Sequence, residues 1–494
     1  MVMNLNPTPE QILKISKGDP EIAAFITALL VQNRQQAEQI ARLEIRVKEL
    51  ERKLGQNSNN SSKPPSSGGF DKPAPKSLRG KSGKSSGGQP GHTGHYFELT
   101  DHPDHTFISS VSSCACCHRP LADIPAIGAQ RRQMIDLIVR METTEFRAET
   151  VCCPDCSHIN QADFPDEAPS YRIQYGNNLK AVVSYLNVQQ LLPLERLGDF
   201  VEALTGHRIS EGTIVNMNQA LYEKLEAFET QAKAVLRSVP VLHSDETSMR
   251  VNGKNHWVHG CTDGQTVHYA VHVKRGKEGM DAAGILPGYR GNLVHDGWMS
   301  YFSYAECGHA LCNTHHHREL NGIIENDQQQ WPEKMIGLLY EIKGAVEQAK
   351  ADGWNSLMPE HIAYFENRYE QVIRLGHSEN PPPPPPPPDA PKKKGRVKQS
   401  KAKNLLDRIE NRNAVLAFMY DFRIPFTNNE AERIVRMVKL QQKISGTFRS
   451  EKGAGVFCRI RSYVATLQRQ KLPILEYIRR ALEGQPFMPS FRTV

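Results

Sequence analysis

The sequence predicts a multidomain α/β protein: a mixed sheet with helices packed on it, preceded by a long amphipathic helix and a small cysteine-bearing module. Three observations predict this. Residues 238–320 alternate short apolar runs in the order three strands, helix, strand, helix, strand. Residues 20–54 carry an apolar heptad repeat. Six of the ten cysteines fall between Cys114 and Cys156.

A chain of 494 residues has room for several domains. Residues 1–54 form the first segment. Ile26, Asn33, Ile40, Val47 and Leu54 recur every seven residues as a positions, with Ile22, Leu29, Gln36, Leu43 and Leu50 at d. β-Branched a residues with Leu at d favour a parallel two-stranded coiled coil, and a single Asn at a fixes its register. Arg46 at g and Glu51 at the next e are placed to pair across a homodimer. Residues 55–95 are rich in Gly, Ser, Asn and Pro, a composition that buries no apolar surface and predicts a disordered linker.

The cysteine module spans 96–168. Cys114-x-x-Cys117 and Cys153-x-x-Cys156 supply four thiols suited to a structural Zn²⁺, with Cys116 and Cys152 as alternative ligands. The nearby His92, His95, His102 and His105 read as solvated loop residues. No secretory signal opens the chain, so a reduced cytoplasm and a metal site fit better than disulfides. No run of apolar residues is long enough to span a membrane.

Residues 169–237 read as helical. Leu194–Leu204, a Thr205-Gly206-His207 turn and a helix opening at Ser210 have a helix-turn-helix shape. Strands are expected at Val239–Leu242, Asn255–Cys261, Thr266–Val273, Asn292–His295 and Ala310–Cys312, forming the first part of the core at 238–325. An insertion at 326–403 holds amphipathic helix, eight prolines from Pro381 to Pro388 and a basic arm. The prolines predict a polyproline II rod of roughly 25 Å. Residues 404–494 complete the core with basic helices.

The formal net charge is +7, but its distribution says more. From Asp389 to Val494 there are 23 Lys/Arg against 9 Asp/Glu, and from Gly55 to His95 six against one. Basic blocks on an otherwise acidic chain point to phosphate contacts. Asp245 and Asp296 each follow a strand-like run, and Glu432 lies in a later helix beside Arg433 and Arg436. Carboxylates from several segments suit hard divalent cations, and the neighbouring arginines suit a DNA backbone.

Motifs along nearly the whole chain now carry a resemblance. In order they are GQNSNNSSKPPSS, GGQPGHTGH, CACC with CCPDC, LLPLERLGDF, HSDET, VHDGWMSYF, CNTHHHREL and NNEAER. Together they resemble the insertion-sequence sixty-six family of bacterial transposases (TnpC-type) of the DDE superfamily. The resemblance implies a ribonuclease-H-like core that cleaves DNA at element ends and transfers the strands. It implies a DDE triad of Asp245, Asp296 and Glu432 holding two catalytic Mg²⁺ ions, with Glu430 the competing third member. It implies companion transposition proteins. Arg433, Arg436, Lys439 and Lys443, at mostly three- or four-residue spacing, are expected to share a helix face along the DNA path, with Arg318 a further DNA contact and a cytoplasmic, nucleoid-associated location expected. Cys312 and His315 match the family's CxxH pair. Thr427 stands where members usually carry Asp, and His317 and Arg318 stand where they usually carry paired arginines. Two other classes remain open: a metal-dependent DNA nuclease without joining activity, and a catalytically silent dimeric DNA-binding protein.

Overall fold

The computed structural model describes residues 7–57, 59–61, 91, 97–166, 168, 172–382 and 399–491. Most of the 55–95 segment, His92, His95, and most of the polyproline run and basic arm lie outside the described residues. The chain divides into two units. One comprises Met1–Pro75, Tyr175–Leu197 and Ser210–Val494, and the other Lys76–Gln174 and Gly198–Ile209.

In the first unit, α1 (Pro9–Ile15) opens with a capping box between Thr8 and Gln11. The Asp19 carboxylate caps α2 (Pro20–Leu54), accepting from Glu21 N at 2.9 Å. Helix α2 buries none of its residues, so its apolar stripe is left uncovered among the described residues. Its C-terminal end is anchored. Arg52 donates two bonds to Asp327, at 3.3 and 3.0 Å, and Asn60 donates to Glu325 at 2.7 Å. The first residues of the expected linker are therefore a docked turn: Asn57 N donates to Asn60 Oδ1, and Asn59 N to Asn57 Oδ1. Asparagine side chains close such turns by bonding nearby backbone, which composition alone does not reveal.

The other unit contains a short hairpin of β1 (Thr150–Cys152) and β2 (Ile159–Gln161). Its remaining described residues are turns and irregular chain, with no helix other than part of α4.

Three helices follow: α3 (Asn177–Ser184), which runs on into a π-helical turn at Tyr185–Gln189, α4 (Leu194–Thr205) and α5 (Glu211–Lys224). The expected turn and N-cap are both present. The Ser210 hydroxyl accepts from Thr213 N at 3.2 Å. Next, α6 (Glu226–Ser238) leads into the sheet.

Five strands build that sheet: β3 (Val241–Val251), β4 (Lys254–Thr262), β5 (Val267–His272), β6 (Asn292–His295) and β7 (Gly308–Leu311). Their spatial order is β5-β4-β3-β6-β7. The first three form an antiparallel meander, and β6 and β7 add in parallel to β3. Helix α7 (Lys277–Ala283) makes the crossover from β5 to β6, and α8 (Asn313–Asp327) leaves β7. The succession of strands along the chain matches the expectation, with a 3₁₀ turn at Tyr301–Ser303 where a second helix was expected between β6 and β7. The first strand does not end before Asp245, however. It continues to Val251, because β4 pairs with it along its whole later length.

The insertion is a helical body. Helices α9 (Trp331–Ala351), α10 (Pro359–Glu379), α11 (Lys401–Ile409), α12 (Arg412–Val415) and α13 (Ala417–Tyr420) share a core with α8 and the β6–β7 edge, centred on Trp331, Tyr369 and Leu406. The chain then returns to the sheet as α14 (Asn429–Ser445), α15 (Glu451–Arg469) and α16 (Ile474–Leu482). Helices α14 and α15 cover one face of the meander with Ile434, Val438, Phe457, Tyr463 and Val464. Leu236, Met280, Ile285 and Tyr301 cover another part of the sheet. Helix α15 also closes the β5 edge: Thr466 and Ser462 hydroxyls accept from Val267 N and Tyr269 N at 3.0 and 2.9 Å. An edge strand's unpaired N–H groups are thereby satisfied.

Candidate active site

Asp245 and Asp296 meet through the sheet register. Strand β3 pairs in parallel with β6 from Val241↔Asn292 to His243↔Val294. Two residues further along each chain come Asp245 and Asp296, where the parallel pairing has ended and β3 is open on that side. Each aspartate accepts one local backbone bond at 2.9 Å, Asp245 from Glu246 N and Asp296 from Trp298 N.

Helix α14 brings the glutamates. Its docking depends on Asn428, which is buried and stands at the N-cap position without capping through its side chain. Its amide instead donates to Ser244 O at 2.8 Å, and its Oδ1 lies 3.0 Å from His243 Nδ1. Its backbone N–H donates to Cys312 Sγ at 3.2 Å. Gly260 of β4 permits the close approach. A Cβ there would meet Ile434 and Val435 side chains at 3.0 Å.

The two candidate glutamates face different surroundings. Glu430 accepts from Arg469 at 2.6 Å and lies 3.6 Å from Arg433. Burial raises its carboxyl, but Arg469, Arg433 and His243 outweigh that and hold it below the usual range. Glu432 is raised, first by burial and further by Asp296, against the pull of Arg318 and Arg436. The Asp245 carboxyl is pushed well above its ordinary range, by burial and then by the charges of Glu246, Asp296 and Glu432. Asp245, Asp296 and Glu432 therefore lie within electrostatic reach of one another, and Glu430 is committed to α15. The oxygens of the triad do not all fall within 4.8 Å, the spacing at which one ion's ligands gather.

Sequence reasoning missed two parts of this site. The first is Asn428, quoted only as part of a motif. The second is Glu246, which is buried behind Asp245. Arg275 donates to Glu246 Oε1 at 2.9 and 2.7 Å, and the Tyr301 hydroxyl donates to its Oε2 at 2.6 Å. The Arg275 guanidinium lies 4.1 Å from the Trp298 ring centroid and 4.8 Å from that of Trp257. Burial and Asp296 nevertheless raise the Glu246 carboxyl. The acidic doublet in HSDET was the available signal.

The expected DNA-contact residues divide. Arg433, Arg436 and Lys443 are exposed on α14, and Arg318 is half-buried on α8, close enough to act on Glu432. Lys439 departs from them. Its ammonium is held by the backbone carbonyl and hydroxyl of Ser248 on β3, the latter at 2.7 Å, because the helix face that packs on β3 includes this position.

The CxxH pair lies at the start of α8. Cys312 is the N-cap residue, and His315 sits one turn in, where His315 N donates to Cys312 O at 3.1 Å. Burial pushes the Cys312 thiol up to about 11 and the His315 imidazole down to about 3. His317 stacks edge-on against Tyr340, at 5.4 Å between centroids.

The two Cys-x-x-Cys pairs form matching turns. Cys114 N donates to Arg119 O and His118 N to Cys114 O, and Cys153 N donates to His158 O and Ser157 N to Cys153 O. Neighbouring backbone N–H groups lower both the Cys114 and Cys153 thiols. Among the described residues, no three of the four sulfurs Cys114, Cys117, Cys153 and Cys156 lie within 4.8 Å of one another. The structure thus shows each turn but does not gather the four thiols.

The structure thus brings three carboxylates, from two parallel strands and a returning helix, toward one another in an α/β protein, with arginines beside them. Residues 172–455 match the family model described as Transposase IS66 family, and the chain belongs to that family. Membership makes it a transposase, an enzyme acting on DNA, and implies divalent-metal use. The matched span holds Asp245, Asp296, Cys312, His315 and Glu432. Residues 7–98 match a family of unknown function (DUF6444), which covers α1, α2 and the asparagine turn. No curated protein matches the chain. Among the described residues, no helix is long and apolar enough to cross a membrane.

Proposed function

We propose that this transposase cleaves DNA strands at the ends of an insertion sequence and joins them to a target, with Asp245, Asp296 and Glu432 as the carboxylates of a two-Mg²⁺ site. The observation that carries this reading is the convergence of three segments: the parallel register of β3 and β6 sets Asp245 and Asp296 just beyond the last paired residues, and Glu432 of α14 comes close enough to act, with Asp296, on an Asp245 carboxyl raised first by burial and then by Glu246. The donor set fits the ions: three oxygen ligands from separate segments, spread more widely than one ion needs. Asp245, Asp296 and Glu432 would hold the cations, which would supply Lewis-acid activation and charge neutralisation when bound.

The chain's own residues do the rest. Arg318, Arg433, Arg436 and Lys443 bind backbone phosphates around the carboxylates. Asn428 holds α14 against β3, so that Glu432 keeps its position relative to Asp245. Arg275, sandwiched between Trp257 and Trp298, fixes Glu246 and gives the site a rigid wall. The sheet order, a meander extended by two parallel strands, supports a ribonuclease-H-like core.

Outside the core, the unburied stripe of α2 supports dimerisation through a coiled coil. The paired cysteine turns support a structural Zn²⁺ site. The test of the central reading is Asp245→Asn. We expect loss of Mg²⁺-dependent cleavage of element ends with DNA binding retained. Undiminished cleavage by this variant overturns the assignment. Strand transfer from pre-cleaved ends separates a transposase from a nuclease that only cuts.

A further inference from the structure

Among the described residues, one set of three metal-ligating atoms falls within 4.8 Å: Cys312 Sγ, His315 Nδ1 and a Glu432 carboxylate oxygen. We propose that these three form a second cation site, selective for a thiophilic divalent ion such as Zn²⁺, and that its occupation withholds Glu432 from the catalytic carboxylates. The regulatory half rests on the reading of Glu432 as a catalytic ligand. The binding half does not.

The geometry suits a tetrahedral ion. Glu432 Oε1 lies 3.9 Å from Cys312 Sγ and 3.5 Å from His315 Nδ1. With metal–ligand bonds of about 2.0–2.3 Å, the edges of a tetrahedron are about 3.3–3.8 Å, so small side-chain movements complete the site. His315 Nδ1 is buried and has no hydrogen-bond partner. Its 3.5 Å approach to Glu432 is an ion-pair distance without hydrogen-bond geometry. A buried ring nitrogen left unpaired while aimed at a carboxylate and a thiol is what a ligand set looks like without its ion.

Cys312 Sγ also accepts the Asn428 backbone N–H at 3.2 Å, which holds the sulfur in place beside Glu432. The sequence spacing makes the pair: Cys312 and His315 are three apart at the start of α8, so both side chains project from the same turn. Glu432 comes from the facing start of α14.

Ligand chemistry separates this site from the aspartates. Thiolate and imidazole suit Zn²⁺, whereas Mg²⁺ prefers an all-oxygen octahedron. Glu432 belongs to both sets. An ion on the sulfur side draws its Oε1 toward α8 and leaves Asp245 and Asp296 without their third carboxylate. A fourth position stays open to water or a phosphate oxygen.

The experiment uses the full chain equilibrated with micromolar Zn²⁺ and freed of excess. Metal content is compared among wild type, Cys312→Ser and His315→Gln. We expect wild type to hold one more Zn²⁺ per chain than either variant, with Co²⁺ giving a thiolate charge-transfer absorption that Cys312→Ser lacks. Loss of even an outer partner of a metal ligand costs about 10–100-fold in affinity, so half-inhibition of Mg²⁺-dependent cleavage should need at least about tenfold more Zn²⁺ in both variants. Equal metal content in all three proteins overturns the site. An additional Zn²⁺ in wild type without inhibition of cleavage overturns the coupling to Glu432 alone. Failure of Asp245→Asn to lose activity leaves the metal count unaffected, so the two readings fail separately.

Discussion

Asn428 donates its side-chain amide to the carbonyl of Ser244 at 2.8 Å, joining the start of α14 to the strand residue next to Asp245. A residue type that usually caps its own helix is used here to tie that helix to a sheet. The bond spans most of the core in sequence and fixes the distance over which Glu432 and Asp245 act on each other.

Replacing Asn428 by Ala removes that bond and the contact with His243, leaving buried polar groups on β3 unpaired. Each such group costs about 1–3 kcal/mol. We expect a stability loss of that order by urea denaturation, together with a larger fall in cleavage than the loss of folded protein explains. Unimpaired cleavage in Asn428→Ala would remove the positioning role.

Glu430 and Glu432 should separate cleanly. Glu430→Gln breaks the pair with Arg469, which is mostly buried, and should lower the melting temperature while Mg²⁺-dependent cleavage persists. Glu432→Gln should abolish cleavage. The reverse pattern assigns the third carboxylate to Glu430.

Buried neutral histidines give the fold an acid limit. Burial brings His259 and His268 down to about 4 and His295 to about 3. In the unfolded chain these rings charge near the ordinary value of about 6.5. Below that pH the unfolded state binds protons that the folded state refuses, so stability present above about 6.5 is lost as pH falls toward the folded values. Each site contributes a slope of about 1.4 kcal/mol per pH unit across its window. Thermal melts from neutral pH downward should show a steep decline, shallower in His268→Gln.

Gly322 allows the asparagine turn to dock. A Cβ there would lie 2.3 Å from Asn60 O, so Gly322→Val must displace the turn. Amide hydrogen exchange should then rise over 52–61 while the sheet stays protected. Unchanged exchange in that segment would show that the turn is not held by α8.

Much of the core was legible in the sequence. The strand order, the helix-turn-helix boundaries and the motif-bearing segments follow from periodicity, turn residues and caps, which are local properties. The long helix over residues 20–54 was equally plain, because its heptad repeat is a local pattern. What escaped was non-local. The run ending in Asp245 looked like a strand terminus because charged residues interrupt its apolar pattern, yet β4 pairs with β3 through Val251. The segment after Leu54 looked like free linker because composition carries no trace of Asn60 meeting Glu325. Lys439 looked like its basic neighbours, and only packing against β3 turned it toward Ser248.

The same division holds for the candidate site. Sequence alone determined that Asp245, Asp296 and a glutamate of NNEAER were the carboxylates to examine, and that Cys312 and His315 matched a CxxH pair. Tertiary structure decided that Glu430 pairs with Arg469 while Glu432 lies within electrostatic reach of Asp245 and Asp296, that Glu246 is held by Arg275 and Tyr301, and that Glu432 also approaches Cys312 and His315. The physical reason is the range of the forces. Backbone propensity and side-chain spacing act over a few residues. The charge on one carboxylate depends on whatever the fold sets beside it, and here those neighbours come from β3, β6, α8 and α14.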